Sequence, residues 1–475
     1  MSELWTLGDM AAAMRADESG VLPKTVPGIS IDSRTLSKGD AFFAIQGENR
    51  DGHDFVEAAL KGGAGLAVVT RANRARFAAA APLLAIDDVL GALRDLARAA
   101  RARSRAKIIA VTGSAGKTST KDALRLALSA DGETHASAAS YNNHWGVPLS
   151  LARLPENAKY AVFEIGMNHA GEITPLTQMA RPHVAIVTTV EPVHLEYFGT
   201  LEKIADAKAE IFLGVEQNGA AVLNRDNAQY QRLAKAAKMA GVARVVPFGE
   251  HEEAEARLLR YALHAECSTV EARILGQDVT YKLGAPGLHQ VLNSLAVLAA
   301  AALAGADLAV AALALNNLKA APGRGTRVQL AVPGGTALLI DESYNANPAS
   351  MRAAIALLGQ APVGARGRRV AVLGDMLELG GEAAALHRGL AEPLAAAKID
   401  LVYCSGPHMR ALWEALPSGA RGGYAETAAA LEPSVVDAVS AGDALMVKGS
   451  LGSKMGPIVK ALERQFSQAA ALDEA

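Results

Sequence analysis

The sequence predicts an α/β protein of three domains. These are a small α/β unit over residues 1–87, a central doubly wound parallel-sheet domain over 88–322, and a C-terminal Rossmann-like domain over 323–475. Three observations carry that expectation. The 475 residues exceed what one hydrophobic core usually serves. The segment "KIIAVTGSAGKTST", residues 107–120, passes from an apolar run through a glycine turn into a helical pattern, the opening of a βαβ unit. A second series of strand-length apolar runs begins after the Pro/Gly-rich "LKAAPGRGTR", which marks a hinge near Ala321–Gly325.

In the first part, "GISIDSR", "DAFFAI" and "GLAVVT" read as short strands, with one helix around Phe55–Gly62 bounded by glycines. The Arg/Ala-rich "LGALRDLARAARARSR" follows from about Leu90 as a helix that delivers the chain to the 107–120 segment. "AKYAVFEIG" and "PHVAIVTTV" are continuous apolar runs separated by a helical segment, as buried parallel strands require. Beyond the hinge, "TALLIDESYN", "RRVAVLGDM", "IDLVYCSG" and "DALMVKGS" supply the strands of the third domain, with helical segments between most of them.

Composition narrows the function classes. Half of the residues are hydrophobic and the formal net charge is -2, which gives no electrostatic reason to expect nucleic acid or an anionic membrane as partner. Cys267 and Cys404 form neither a disulfide framework nor a zinc cluster, and a reducing cytoplasm fits them. The N-terminal residues lack the basic start and apolar core of a signal peptide. The most apolar segment, Leu295–Ala306, is too short to span a bilayer. A cytoplasmic protein without membrane insertion is expected.

The stretch "VTGSAGKTST" has the parts of a phosphate-binding loop: backbone N–H groups of a glycine turn at the positive end of a helix. The commonest pattern places a glycine six residues before the lysine, where Val111 stands here. What remains is a compact G-x-x-G-K-T formed by Gly113, Gly116, Lys117 and Thr118. Lys117 can bridge terminal phosphates, and the Thr118 hydroxyl can reach a magnesium ion. Magnesium needs hard oxygen ligands, and Glu164 ends a predicted strand at the edge where open parallel sheets bind ligands. Taken singly, Glu164 is also compatible with a solvated strand end, and His194, just after another apolar run, with a structural histidine.

The order of the motifs adds to the residues. "TGSAGKTST", "FEIGMNHAGEI", "VEPVHLEYFG", "IADAKAEIF", "HQVLNSLAV", "PGRG" and "DESYNANPASM" resemble the successive signatures of the Mur ligase family of ATP-dependent amide-forming enzymes. The resemblance runs from "DSRTLSKGDAFFAIQGENRDGHDF" to "VKGSLGSKM", nearly the whole chain. Within the family, "YNNHWGVPLSL", "DESYNANPASM" and "LGDMLELG" are similar to the type that joins D-alanyl-D-alanine to UDP-N-acetylmuramoyl-tripeptide. The alternative type, which adds a single third amino acid, is expected to carry a D-N-P-R-like segment that the stretch around "GPHMRALWEAL" lacks. Folylpolyglutamate synthases share the ATP motifs but lack the N-terminal "DSR…GHDF" part.

The resemblance implies ATP as co-substrate with magnesium, two ions being expected, and a monomer. It places Gly113, Ser114, Ala115, Gly116, Lys117, Thr118 and Ser119 around the ATP phosphates. Asn293, which shares a helix face with His289, is implied near adenine, Arg324 near phosphate, and Asp341 near ribose or phosphate-bound solvent. Thr118, Glu164, His194 and Lys208 are implied magnesium ligands, Lys208 after carbamylation by carbon dioxide. A lysine carbamate is an anionic oxygen ligand, whereas an ammonium group repels the metal. Without the resemblance, Lys208 reads as a solvated helix lysine. Lys117, Lys208 and His194 are the implied catalytic residues. The UDP-sugar would lie on residues 1–87 against Ser33, Arg34, Gly47, Gly52 and His53, and its muramoyl part against Asn142 and Asn143. Asn345 and Asn347 can equally serve their own turn, with Pro348 starting a helix.

The implied chemistry is γ-phosphoryl transfer to a carboxylate, attack of an amine on the acyl phosphate, and collapse to amide and phosphate. An acyl phosphate hydrolyses readily, so an open form without ligands, and rotation of the third domain through the hinge near Arg324 when ATP binds, are expected. A nucleotide-driven switch would need the loop but not the complementary motifs of three domains.

Overall fold

The apolar runs become the inner strands of three main sheets in a computed structural model that describes residues 3–47, 49–137 and 140–467. The first sheet has five strands in the order Asp17–Ser19, Leu83–Ile86, Leu66–Thr70, Ala41–Phe43 and Ile29–Ser30. All neighbours are parallel except the Asp17–Ser19 edge. The helix expected near residue 55 forms as a 3-10 turn, Gly52–Phe55, running into the α-helix Val56–Lys61. Asp51 starts it by accepting a hydrogen bond from the His53 backbone N–H.

Helix Val89–Arg103 joins this part to the next. Its apolar stripe of Val89, Leu93, Leu96, Ala97 and Ala100 lies in one continuous core with Trp5 and Met10 on one side and Leu149 on the other. Trp5 Nε1 donates to the Ala152 carbonyl at 2.9 Å, and the Arg103 guanidinium stacks 3.5 Å from the Trp5 ring centre. The N-terminal unit is therefore anchored by shared apolar burial.

The central sheet has nine strands. Six run parallel in the order Arg244–Gly249, Ala220–Asn224, Val184–Val187, Lys107–Thr112, Tyr160–Glu164 and Thr134–Ala136. From Lys107–Thr112 the chain builds Tyr160–Glu164 on one side and Val184–Val187 on the other, so a crevice opens at the carboxyl end of the middle strand. Three further strands, Ala256–Leu263, Ser268–Ile274 and Gln277–Leu283, extend the sheet, antiparallel to one another. They extend the purely parallel sheet that the sequence predicts. The middle one, Ser268–Ile274, has every second residue buried, an alternation that a search for continuous apolar runs passes over.

The third sheet has six strands, ordered Thr326–Val332, Gly335–Glu342, Ala444–Lys448, Arg369–Gly374, Leu401–Ser405 and Arg421–Ala425. Only the first pair is antiparallel. Separate apolar clusters cover its two faces, the doubly wound arrangement. Among the described residues no helix is long and apolar enough to cross a membrane.

Candidate active site

Strand Lys107–Thr112 ends at Gly113, and helix Lys117–Ser129 begins after Gly116, with the glycines at φ 147° and 81°. Both positions need glycine. A Cβ on Gly113 would overlap Thr188 Oγ1, and one on Gly116 would stand 2.7 Å from Asn293 Nδ2. The loop is pinned from the neighbouring strand end: Thr188 Oγ1 donates to the Ala115 carbonyl at 2.5 Å, and Ser114 Oγ accepts from the Glu191 N–H at 2.9 Å. Lys117 folds back over the loop, its ammonium donating to the Gly113 carbonyl at 2.8 Å. Burial pushes its pKa below the ordinary lysine value; Glu164 opposes that shift and Arg324 reinforces it.

Glu164, only 1% exposed, sits at the end of the adjoining strand. Its two oxygens accept from Thr118 Oγ1 at 2.9 Å and Asn142 Nδ2 at 2.8 Å. Lys208, on helix Leu201–Ala209, is 3% exposed, and its side chain makes no hydrogen bond or ion pair among the described residues. Burial, reinforced by the charge of Lys117, holds its pKa well below the ordinary lysine value. His194 adopts a left-handed backbone, φ 55°, and its Nδ1 is hydrogen-bonded to the Glu378 carboxylate of the C-terminal sheet domain. Burial lowers the His194 pKa, Glu378 opposes this, and Lys208 and Lys117 add to it.

These groups fit a magnesium site in their chemistry. Glu164 and Thr118 offer hard oxygens, and engagement of His194 Nδ1 by a carboxylate leaves Nε2 as the ligand atom. Among the described residues no three His, Cys, Asp or Glu side chains converge as a metal-holding group. Magnesium ordinarily completes its shell with water and phosphate oxygens, and a lysine can join it only after losing its positive charge.

The remaining predicted residues divide into two groups. Ser119 caps back onto the Gly116 carbonyl at 3.1 Å, and Asn293 lies against the loop at Gly116. Arg324 stacks 4.2 Å from the Tyr344 ring centre and feels Lys117. Asp341 spends one oxygen on its own turn, accepting from Ser343 N–H at 3.0 Å and Oγ at 2.6 Å. Burial lowers the His289 pKa, with the charge of Glu342 opposing this and that of Lys448 adding to it. Asn143 accepts from the Gly146 N–H at 2.9 Å, a local cap, while its neighbour Asn142 joins Glu164. Ser33, Arg34, Gly47, Gly52 and His53 lie in the turn after strand Ile29–Ser30 and in the loop and 3-10 stretch after Ala41–Phe43. Arg34 has a side chain 81% exposed and paired with Asp32 at 2.7 Å, and Gly47 donates to the Arg50 carbonyl. Both ring nitrogens of His53 are engaged inside the fold. Nδ1 meets Asp51 at 2.6 Å and Nε2 accepts from the Thr70 N–H at 3.0 Å. Its imidazole shapes the turn at Gly52–Phe55.

Comparison with known proteins adds to this geometry. Family profiles match residues 25–101 (Mur ligase family, catalytic domain), 111–301 (Mur ligase middle domain) and 323–451 (Mur ligase, glutamate ligase domain). The chain is 37% identical to the UDP-N-acetylmuramoyl-tripeptide--D-alanyl-D-alanine ligase of Escherichia coli (strain K12), covering 92% of this chain and 94% of that protein.

The chain belongs to the Mur ligase family.

The enzyme of the same description from Rickettsia prowazekii is 32% identical over 91% of this chain and 94% of its own. Among solved structures, MurF from Acinetobacter baumannii superposes with a TM-score of 0.83 at 29% identity, covering 97% and 99% of the two chains. MurF ligase from Thermotoga maritima in complex with ADP gives 0.75 at 26% identity, covering 93% and 98%. In this Mur ligase the C-terminal domain lies against the loop. Asn347, which caps helix Pro348–Gly359 by accepting from Ser350 N–H at 2.8 Å, also donates to the Ser114 carbonyl at 3.4 Å. Glu196 N–H donates to the Glu378 carbonyl at 3.3 Å, and Arg352 lies 3.6 Å from Glu191. Sequence reasoning missed Glu378 and Thr188. Glu378 lies in "LGDMLELG", but nothing in a sequence couples it to a histidine 184 positions away.

Proposed function

We propose that this Mur ligase joins D-alanyl-D-alanine to UDP-N-acetylmuramoyl-tripeptide with hydrolysis of ATP to ADP and phosphate. It would act as a cytoplasmic monomer in peptidoglycan precursor synthesis. The observation that carries the reading is a glycine loop, its lysine, a buried carboxylate and a second buried lysine gathered around one crevice, a set suited to bringing two anions together. The 37% identity to a ligase of this description over 92% of the chain supports the substrate pair.

Residues 1–87 would hold the UDP-sugar and 88–322 the ATP, with 323–475 brought to the nucleotide through Arg324 and Asp341. The loop N–H groups and Lys117, released from the Gly113 carbonyl, would bind the terminal phosphates. Thr118, Glu164, His194 and carbamylated Lys208 would hold magnesium, which when bound screens the repulsion between ATP and the acceptor carboxylate. The acceptor carboxylate oxygen attacks the γ-phosphorus and ADP leaves. The dipeptide amine, having lost a proton, then attacks the acyl carbon, and the tetrahedral intermediate expels phosphate. Asn347, donating to the Ser114 carbonyl, would hold the C-terminal domain over the loop and so keep water from the acyl phosphate. The depressed pKa of Lys208 supports carbamylation, because the neutral amine is the form that adds to the carbon of carbon dioxide with loss of one proton.

Phosphate release from ATP, measured with UDP-muramoyl tripeptide and a panel of amino acids and dipeptides, tests this reading. Stimulation by D-alanyl-D-alanine is expected. Stimulation by a single amino acid without response to the dipeptide would replace it with the alternative type that adds a single third amino acid.

A further inference from the structure

At the opposite edge of the central sheet from the loop, a cleft of about 710 Å³ opens at the amino ends of the parallel strands. Arg101, Arg105, Lys107, Arg181 and Arg244 line it together with His183, and Glu216 is the single carboxylate in its wall. That carboxylate is already shared: Glu216 Oε1 accepts from Arg101 Nη2 and from Arg181 Nε, each at 3.0 Å. Arg244 pairs with Glu255 at 2.6 Å. Arg105 and Lys107 make no side-chain hydrogen bond or ion pair among the described residues.

Two further groups in the wall are donors without acceptors. Arg101 is only 6% exposed, its Nε and Nη2 are used by the Ala180 and Arg181 carbonyls and Glu216, and Nη1 makes no hydrogen bond among the described residues. His183 accepts from the Ile108 N–H through Nδ1 at 3.0 Å, so its proton is on Nε2. Burial holds this imidazole down to a pKa of about 4, with Lys107, Arg101 and Arg181 adding to the effect and Glu216 opposing it. Crowding cations around one shared carboxylate costs free energy that nothing in the sheet requires, since parallel strands start equally well with apolar or neutral residues.

We propose that this cleft binds an oligophosphate anion. Its phosphates would meet Arg105, Lys107, Arg101 Nη1 and His183 Nε2–H, a mixture of fork-shaped and point-charge donors suited to phosphate oxygens. The site is distinct from the ATP loop, because strand Lys107–Thr112 separates the two by about 17 Å at about 3.3 Å per residue. Two strands connect them directly. Lys107–Thr112 leads into Gly113, and Val184–Val187 leads from His183 to Thr188, which holds the Ala115 carbonyl. The inference stands whether or not the ligase reaction proposed above is correct.

The test uses the full chain and inorganic pyrophosphate as probe, followed through the imidazole NMR signals of His183, assigned with His183→Gln. The expected result is a saturable shift at millimolar pyrophosphate or below, with a rise in the His183 pKa. In Arg105→Ala/Lys107→Ala the affinity should fall by about tenfold or more, while the His194 signals, which report the ATP crevice, respond as in the parent protein. An ADP arm separates sources: competition with pyrophosphate at His183 identifies a nucleoside diphosphate ligand, and its absence an inorganic one. Silent His183 signals at millimolar pyrophosphate, or an unchanged binding curve in the folded double variant, would overturn the proposal.

Discussion

Alanine at Gly116 changes two things at once in the loop. The residue sits at φ 81°, where an L-residue costs about 1–2 kcal/mol more than glycine. The new Cβ would also stand 2.7 Å from Asn293 Nδ2, so that side chain must swing away from its place beside the loop. A free loop that relaxes out of the left-handed conformation must recover that cost on binding nucleotide, and 1–2 kcal/mol corresponds to about five- to thirtyfold in affinity. Calorimetric titration with ADP should therefore show a loss in this range, with urea unfolding on the same protein showing a smaller drop in stability. The Gly116→Ala/Asn293→Ala double variant separates the causes: the contact is removed and the backbone cost stays, so the two single losses should add to more than the double loss. Binding within twofold of the parent protein together with an unchanged urea midpoint would refute the reasoning.

Four other outcomes are expected. Lys208→Ala should abolish turnover, with partial recovery on adding short carboxylic acids; unchanged activity without them would refute the carbamate. Glu378→Ala frees His194 Nδ1, and the magnesium concentration needed for half-maximal turnover should rise about 10- to 100-fold, less in Glu378→Gln. Asp443, which accepts from the Arg368 N–H at 2.8 Å and Nη2 at 2.7 Å and from the Ser440 N–H at 3.0 Å, is buried, so Asp443→Ala should lose about 2 kcal/mol or more in urea unfolding. His183, held to about 4 against an ordinary 6.5, takes up its proton more readily in the unfolded chain. Stability should thus fall as pH drops from about 6.5 toward 4, and His183→Gln should flatten that part of the profile.

Much of the fold was legible because its strands are buried on both faces. Runs such as "VAIVTTV" and "RRVAVLG" become Val184–Val187 and Arg369–Gly374, since a parallel strand covered by helices on both sides needs unbroken apolar residues. The antiparallel extension, Ala256–Leu263 to Gln277–Leu283, was passed over, because strands with largely exposed faces carry no continuous apolar run.

For the site, residues joined through short stretches of chain could be grouped from the sequence. Gly113, Gly116, Lys117 and Thr118 lie within six residues of one another, and the strand-turn-helix geometry dictates where their backbone and side chains point. The sequence by itself therefore determined the layered α/β architecture, the loop and the order of the motifs. Tertiary structure alone decided that Thr118 and Asn142 meet on Glu164, that His53 turns inward to Asp51 and Thr70, and that Glu378 reaches His194 from another domain. The physical reason is that hydrogen bonds and charge act over a few ångströms of space, and only packing brings groups dozens or hundreds of residues apart within that range.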